Sequence, residues 1–95
     1  MAAQKLTDDH LHLISRALAD PRRFDLLRRI GKAGDTLSCE TIRAGCCDIT
    51  PATLSHHMKE LETAGLVEST REGKFVTYRL RRDALAAYLA RLGQI

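Results

Sequence analysis

Three cysteines and four histidines are the side chains of this sequence best suited to ligate a metal or react as nucleophiles. Cys39, Cys46 and Cys47 lie close together along the chain. Because thiolates select thiophilic ions, one interpretation is a three-thiolate site for a soft ion such as arsenite, and another is reversible thiol oxidation. Free cysteine is also often buried as a small apolar residue, so a purely structural role is the third interpretation. An odd number of cysteines, two of them adjacent, does not predict a disulfide framework.

The histidines do not form an obvious chelating or catalytic group. His10 and His12 are two positions apart on a predicted helix, so their side chains point to different faces and cannot hold one ion together. Ser55 precedes His56 and His57, but consecutive helical residues do not face each other, which argues against a catalytic pair. The sequence also has no phosphate-binding glycine loop and no recognisable nucleophile motif. We therefore predict that the protein is not an enzyme and needs no cofactor.

Basic residues are unevenly distributed along the chain. Residues 1–49 hold eight basic and seven acidic side chains, whereas residues 71–82 hold five basic side chains and one acidic one. A local excess of this kind suits contact with nucleic-acid phosphates, although a solvated charged hairpin is the alternative interpretation. No apolar run approaches the ~20 residues that span a bilayer, and the N-terminus lacks the hydrophobic region of a signal peptide. We expect a cytoplasmic protein that does not bind membranes.

Capping residues and helical spacing predict two helices in the first third of the chain. Thr7 is a good N-cap for a helix over residues 8–19, whose first turn is acidic. Asp20-Pro21 combines an N-cap with an N1 proline and opens a second helix that ends at Gly31 and Gly34. The predicted apolar stripes of the two helices are Leu11, Ile14 and Leu18, and Phe24, Leu27 and Ile30.

Two further helices are predicted in the middle of the chain. After a polar connector at Asp35-Thr36, Ser38 caps a short helix over Cys39–Ala44, followed by a turn at residues 45–48. Thr50-Pro51 repeats the cap-plus-proline signal and opens a fourth helix that ends near Gly65. Its inward positions are four and three residues apart: Leu54, Met58 and Leu61.

The period then changes from helical to alternating. Leu66–Thr70 and Phe75–Leu80 are predicted strands joined by a glycine-containing turn at residues 71–74. A last helix from about Arg82 to Leu92 follows. The predicted fold is one domain over residues 1–95, mainly α with a β-hairpin wing, in the order α-α-α-α-β-β-α.

Two short helices joined by a tight turn and followed by a basic hairpin are the winged helix-turn-helix arrangement. If the fourth helix is held by its inward face, its N-terminal part is free to approach base edges and phosphates of double-stranded DNA. For His57, packing against the domain is at least as plausible as base contact. The residues we expect to contact DNA are Thr50, Ala52, Thr53, Ser55, His56 and Lys59 on the helix, with Arg71 and Lys74 on the hairpin.

Three runs resemble the ArsR-type family of bacterial repressors, and the likeness extends over about residues 13–90. They are residues 17–27, which begin Ala-Leu-Ala-Asp-Pro-Arg, residues 49–67 with Ser55-His56-His57, and the hairpin over residues 71–80. The resemblance implies a homodimer formed by the first and last helices, operator binding by residues 51–64, and repression relieved by a signal. The expected dimer contacts are Leu11, Ile14, Leu18, Leu85, Tyr88, Leu89 and Leu92.

The apolar stripes independently favour a dimer, because together they exceed what a 95-residue chain readily covers. Packing of the stripes on each other within one chain is the alternative.

The sequence departs from the sensor sites that the resemblance implies. The family motif of two cysteines separated by one residue in the third helix is absent, although Cys39 lies near its place. The last helix carries Asp83 but no histidine and no second acid, which excludes the other common metal site. The inducer therefore stays unidentified, with Cys39, Cys46 and Cys47 as the only thiol candidates. A winged-helix module for protein–protein interaction is the rival from another functional class.

Overall fold

Five helices and three strands make up the fold. The computed structural model describes residues 6–45 and 49–95. The elements are α1 Asp8–Leu18, α2 Pro21–Lys32, β1 Thr36–Ser38, α3 Cys39–Gly45, α4 Pro51–Thr63, β2 Val67–Glu72, β3 Phe75–Leu80 and α5 Arg82–Gly93. The predicted winged helix-turn-helix order is confirmed, with one additional strand. The turn predicted at residues 45–48 falls mostly on residues 46–48, which are not described. No described helix is both long and apolar enough to cross a membrane.

The helix starts follow the capping residues identified in the sequence. Thr7, Asp20, Ser38 and Thr50 each accept a backbone N–H from two or three residues further along, at 2.8–3.2 Å. Proline occupies the first turn of both α2 and α4. Each cap satisfies a donor that the helix leaves unpaired, so local chemistry alone fixes where these helices begin.

The strand β1 is absent from the sequence-based prediction, which places a connector at Asp35-Thr36. Instead, Thr36–Ser38 pairs antiparallel with β3, giving the sheet order β1-β3-β2. Gly34 and Asp35, both with positive φ, turn the chain so that this segment meets the free edge of β3. Three residues are too few to display an alternating pattern, and only the edge of β3 makes this segment a strand.

The hairpin that forms the wing is tighter than predicted. β2 runs from Val67 to Glu72, so Arg71 and Glu72 belong to the strand and Gly73-Lys74 alone connects β2 to β3. Gly73 has a φ of 60°, a left-handed conformation that a two-residue hairpin loop requires and that glycine adopts at little cost.

The core is aliphatic and is shared by all the helices. Ile14, Leu26, Ile30, Ile42 and Leu66 are essentially inaccessible to solvent. The stripe predicted for α2 is wrong at one position, because Phe24 is 49% exposed and Leu26 lies inward in its place. Helical spacing alone fits either face, and the packing of α2 against its neighbours decides between them.

A contact between α1 and the end of α4 is also missing from the prediction. The half-buried His10 donates from Nε2 to the carbonyl oxygen of Ala64 at 2.7 Å. Gly65, the predicted C′ residue of α4, has a φ of 78°, and a Cβ placed on it would lie 2.8 Å from the same nitrogen. His10 is therefore a structural contact, not a solvent-facing or interface residue.

We predict that Gly65→Ala destabilises the protein more than Gly34→Ala does. The two glycines have nearly equal φ angles, but a Cβ at Gly34 meets nothing within 4 Å. Left-handed strain should cost about 1–2 kcal/mol in both variants. In Gly65→Ala the added methyl also displaces His10, with the loss of a hydrogen bond worth about 1 kcal/mol. Urea unfolding measures both, and equal losses of unfolding free energy would show that His10 does not restrain the end of α4.

Candidate nucleic-acid interface

One face of α4 is fixed in the interior. Leu54, Met58 and Leu61 are at most 2% exposed, as the spacing predicts, and His57 joins them at 6%. α4 packs against α1, α2 and β2 through this face. Because three elements hold it, the helix cannot rotate about its own axis, and the opposite face has a defined direction.

His57 belongs to this buried face. Its Nδ1 lies 3.5 Å from Nη1 of Arg23, and Nε of the same arginine donates to the carbonyl oxygen of Ala17. Burial lowers the pKa of His57 below its ordinary value, so the ring is neutral at pH 7 and accepts from the guanidinium. His57 therefore has a packing role and is not available for base contact.

The outward face of α4 is a continuous exposed stripe. Ala52, Ser55, His56 and Lys59 follow one another at positions i, i+3, i+4 and i+7, the spacing of residues on one helix face. We call these four residues the α4 stripe. It holds two hydrogen-bonding side chains between a methyl group and an ammonium group, and all four side chains are accessible to a partner.

Two threonines at the start of α4 are engaged with each other. Thr50 Oγ1 accepts from the backbone N–H of Thr53 and donates to Thr53 Oγ1 at 2.9 Å. The hydroxyl proton of Thr50 is thereby used, whereas Thr53 keeps its own proton for another acceptor. This geometry favours capping as the main role of Thr50. The N-terminal end of α4, where partial positive charge accumulates, remains exposed beside them.

Most of the basic excess at the wing is neutralised within the chain. Arg79 pairs with Glu68, while the Asp83 and Asp35 carboxylates lie 2.9 Å from the guanidinium nitrogens of Arg81 and Arg82, respectively. The Arg81 guanidinium lowers the pKa of Asp83 to about 2, so this pair stays ionised at neutral pH. The number of charged residues in the sequence cannot show these pairs, because the partner acids come from other elements or adjacent turns.

The two remaining cations lie near the tip of the wing. Arg71 and Lys74 are exposed, and neither forms an ion pair with any residue in the ranges 6–45 and 49–95. Glu72 is the only acidic neighbour in the sequence between them. Within the wing, the positive charge available to an anionic partner is therefore concentrated at this tip.

Polar and backbone contacts fix the wing relative to α4. Ser69 on β2 donates to a carboxylate oxygen of Glu62 on α4 at 2.7 Å. The backbone N–H of Leu66 donates to the carbonyl oxygen of Leu61, and Leu66 in turn accepts from the backbone of Arg81. The outward face of α4 and the wing therefore form one rigid surface.

The residues predicted for a dimer interface divide into three groups. Leu89 and Leu92 on α5 are 59% and 42% exposed, and Leu11, Leu18, Leu85 and Tyr88 are half-buried. Ile14, by contrast, is completely buried within its own chain and offers no surface to a second copy. Tyr88 hydrogen-bonds Ser15 at 2.9 Å, which joins α5 to α1.

An unpredicted ion pair joins the same two helices at their other ends. Arg91 donates to Asp8 and to the carbonyl oxygen of Leu6, both at 2.7 Å. The pair lowers the pKa of Asp8. α1 and α5 therefore form one unit from which the outer leucines of α5 project.

The thiol site proposed from the sequence falls largely outside the described residues. Cys46 and Cys47 are not described, and Cys39 is a half-buried free thiol at the start of α3. Among the described residues no three His, Cys, Asp or Glu side chains are grouped so that they could hold a metal ion. Thiol or metalloid sensing stays a prediction.

Comparison with known proteins identifies the family. A family model described as a helix-turn-helix domain matches residues 18–70. The chain is 33% identical over 86 residues to the uncharacterized HTH-type transcriptional regulator YceK of Bacillus subtilis, a match that covers 90% of this chain and 85% of the relative. It is 33% identical over 75 residues to a putative arsenical resistance operon repressor ArsR of Halobacterium salinarum, with coverages of 77% and 57%.

The fold is also similar to that of a solved structure. A crystal structure of an ArsR family transcriptional regulator superimposes with a TM-score of 0.82 at 23% identity, covering 96% of this chain and 91% of that one. The structural match covers 96% of the chain and so includes the helix-turn-helix and the wing, whereas the family model ends at residue 70, before the two cations. The chain therefore belongs to the ArsR-type family of transcriptional regulators and carries its helix-turn-helix DNA-binding domain.

Proposed function

We propose that this protein is a repressor that binds a palindromic operator as a homodimer, with α4 in the major groove and the wing on the adjacent backbone. The observation that carries the proposal is the α4 stripe, exposed on a helix whose opposite face is buried. The repressor role is supported by the name of the Halobacterium relative. Because an operator is chromosomal DNA, we place the protein in the cytoplasm.

The α4 stripe has the chemistry of direct base readout. The Ser55 hydroxyl both donates and accepts, the His56 ring offers a donor and an acceptor, and the Ala52 methyl suits contact with a thymine methyl. Lys59, a flexible point charge one turn further along, suits a phosphate. Within residues 6–45 and 49–95, Ser55, His56 and Lys59 form no side-chain hydrogen bond, and the family membership favours DNA over a protein partner.

We predict that Ser55→Ala and His56→Ala each weaken binding to the operator by about 1–3 kcal/mol, because each removes a base contact. Binding to random duplex DNA should change little. The control is His12→Ala, which removes an exposed histidine from α1. Fluorescence anisotropy with both duplexes measures the difference, and equal losses on operator and random DNA would exclude base readout by these residues.

The wing has a different expected signature. Replacing Arg71 or Lys74 with alanine should lower affinity for all sequences and reduce the slope of log K against log salt by about one unit for each phosphate that the wing no longer neutralises. Arg16→Ala, which removes an exposed cation from α1, is the charge-matched control and should leave the slope unchanged. A slope unaffected by both wing variants would remove the wing from the interface.

The dimer rests on the outer face of α5. Exposed leucines three residues apart, Leu89 and Leu92, form an apolar strip that water disfavours, and a second copy covers it with an identical strip in a two-fold interface. Two-fold symmetry also places two α4 helices at the spacing of palindromic half-sites.

We predict that Leu89→Glu converts the dimer to a monomer at micromolar concentration, because the interface would then bury an unpaired carboxylate. Operator affinity should fall with it, since each half-site would be bound alone. Phe75→Glu changes an equally exposed apolar residue on the wing and should leave the dimer intact. Analytical ultracentrifugation measures both variants, and a dimeric Leu89→Glu protein would show that α5 is not the interface.

A further inference from the structure

A groove lies between α2, the end of β3 and the start of α5, and none of its lining residues is among the proposed DNA contacts. It has a volume of about 320 Å³. Its apolar walls are formed by Leu18, Phe24, Leu27, Leu80 and Leu85. We call this the α2–α5 groove. Phe24, which is 49% exposed, adds accessible apolar surface to these walls.

The rim of the groove is cationic. Arg28, Lys32 and Arg82 line it. Arg82 is held by Asp35 through bonds of 2.9–3.1 Å, and Arg28 lies 3.7 Å from Asp25.

Lys32 differs from the two arginines. It forms no ion pair with any residue of the described segments. The carboxylates of Asp25 and Asp35 balance the two arginines, so the rim keeps a net positive charge on the ammonium of Lys32.

We infer that the α2–α5 groove binds a small organic anion with an apolar body, such as an aryl-alkyl carboxylate. The body would lie on Phe24, Leu27 and Leu80, and the carboxylate would pair with Lys32. Apolar walls with a few polar groups at one end, in a volume near 300 Å³, are typical of small-molecule sites. The inference goes beyond the proposed DNA binding and does not depend on it.

Charge complementarity separates this occupant from a second copy of the chain. Leu18 and Leu85 of the groove are also among the expected dimer contacts, but the most exposed leucines of α5, Leu89 and Leu92, are not groove residues. An interface that closed over the groove would have to bury the ammonium of Lys32, the rim cation that the described residues leave unpaired, which is costly without a matched acid. A small carboxylate instead supplies the missing negative charge.

Gly31 provides a direct way to block the groove. A Cβ at this position would lie 3.4 Å from Arg82 Nη2 and 3.5 Å from Leu80 Cδ2, so a side chain placed here enters the groove. Alanine makes only ordinary contacts at those distances, whereas leucine would occupy the space above Leu80. Both substitutions also favour the helix more than glycine does, so neither is expected to unfold α2.

The test compares 4-phenylbutanoate with 4-phenylbutan-1-ol, which has the same apolar body and no charge, by calorimetry and amide chemical shifts of the 95-residue chain. We expect the acid to bind roughly three- to five-fold more tightly than the alcohol. Lys32→Gln should abolish that preference, whereas Arg16→Gln, a charge-matched change on α1, should keep it. Gly31→Leu should abolish binding of both compounds, and Gly31→Ala should retain it.

Three results would overturn the inference: equal affinity for acid and alcohol, unchanged binding by Gly31→Leu, or loss of the dimer in Gly31→Leu, which would assign the groove to a second copy. The acid–alcohol comparison and Lys32→Gln decide the matter even if Gly31→Leu is unstable. The ligand-binding test contains no DNA, so a negative result would not bear on the proposed operator binding.

Discussion

Burial of one face of α4 is the constraint on which the rest of the structure depends. Removing a leucine or methionine side chain from water is worth about 1.5–3 kcal/mol, and α4 inserts three such side chains between α1, α2 and β2. His57 adds a neutral imidazole to the same face and contacts Arg23 of α2. The orientation that this packing imposes leaves the α4 stripe on the surface, and the bond between Ser69 and Glu62 extends the rigidity to the wing.

Electrostatics refine the surface that packing creates. Three arginines in or beside the wing strands are paired within the chain, and two of these pairs hold elements together: Arg82 connects α5 to the turn before β1, and Arg79 bridges β2 and β3. Of the wing cations, those near the tip, Arg71 and Lys74, are the ones that form no ion pair within the described residues. The unpaired positive charge of the wing therefore lies near its tip, and the modest net charge of +3 conceals this local arrangement.

Local signals in the sequence predict most of the fold. Caps at Thr7, Asp20 and Thr50, the spacing of Leu54, Met58 and Leu61, and the glycine-bearing hairpin depend on neighbours within a few residues. What escapes prediction depends on distant partners: β1 exists because of the edge of β3, His10 is ordered by Ala64, and Phe24 lies outward because α2 packs through Leu26. The exposed residues of α4 that we expect to contact DNA can be predicted from the sequence, because they lie opposite its apolar positions. The burial of Ile14, which makes it unavailable for dimerisation, cannot be anticipated from the sequence, because it follows from packing within the chain.

The central claim is that the outward face of α4, together with the wing, is the DNA-binding surface. A titration of ¹⁵N-labelled protein with a duplex selected from random-sequence DNA tests it most directly. The account predicts that amide shifts concentrate at residues 50–59 and 71–74, while residues 22–32 of α2 stay unperturbed. Shifts confined to α2, or an undisturbed α4, would contradict it.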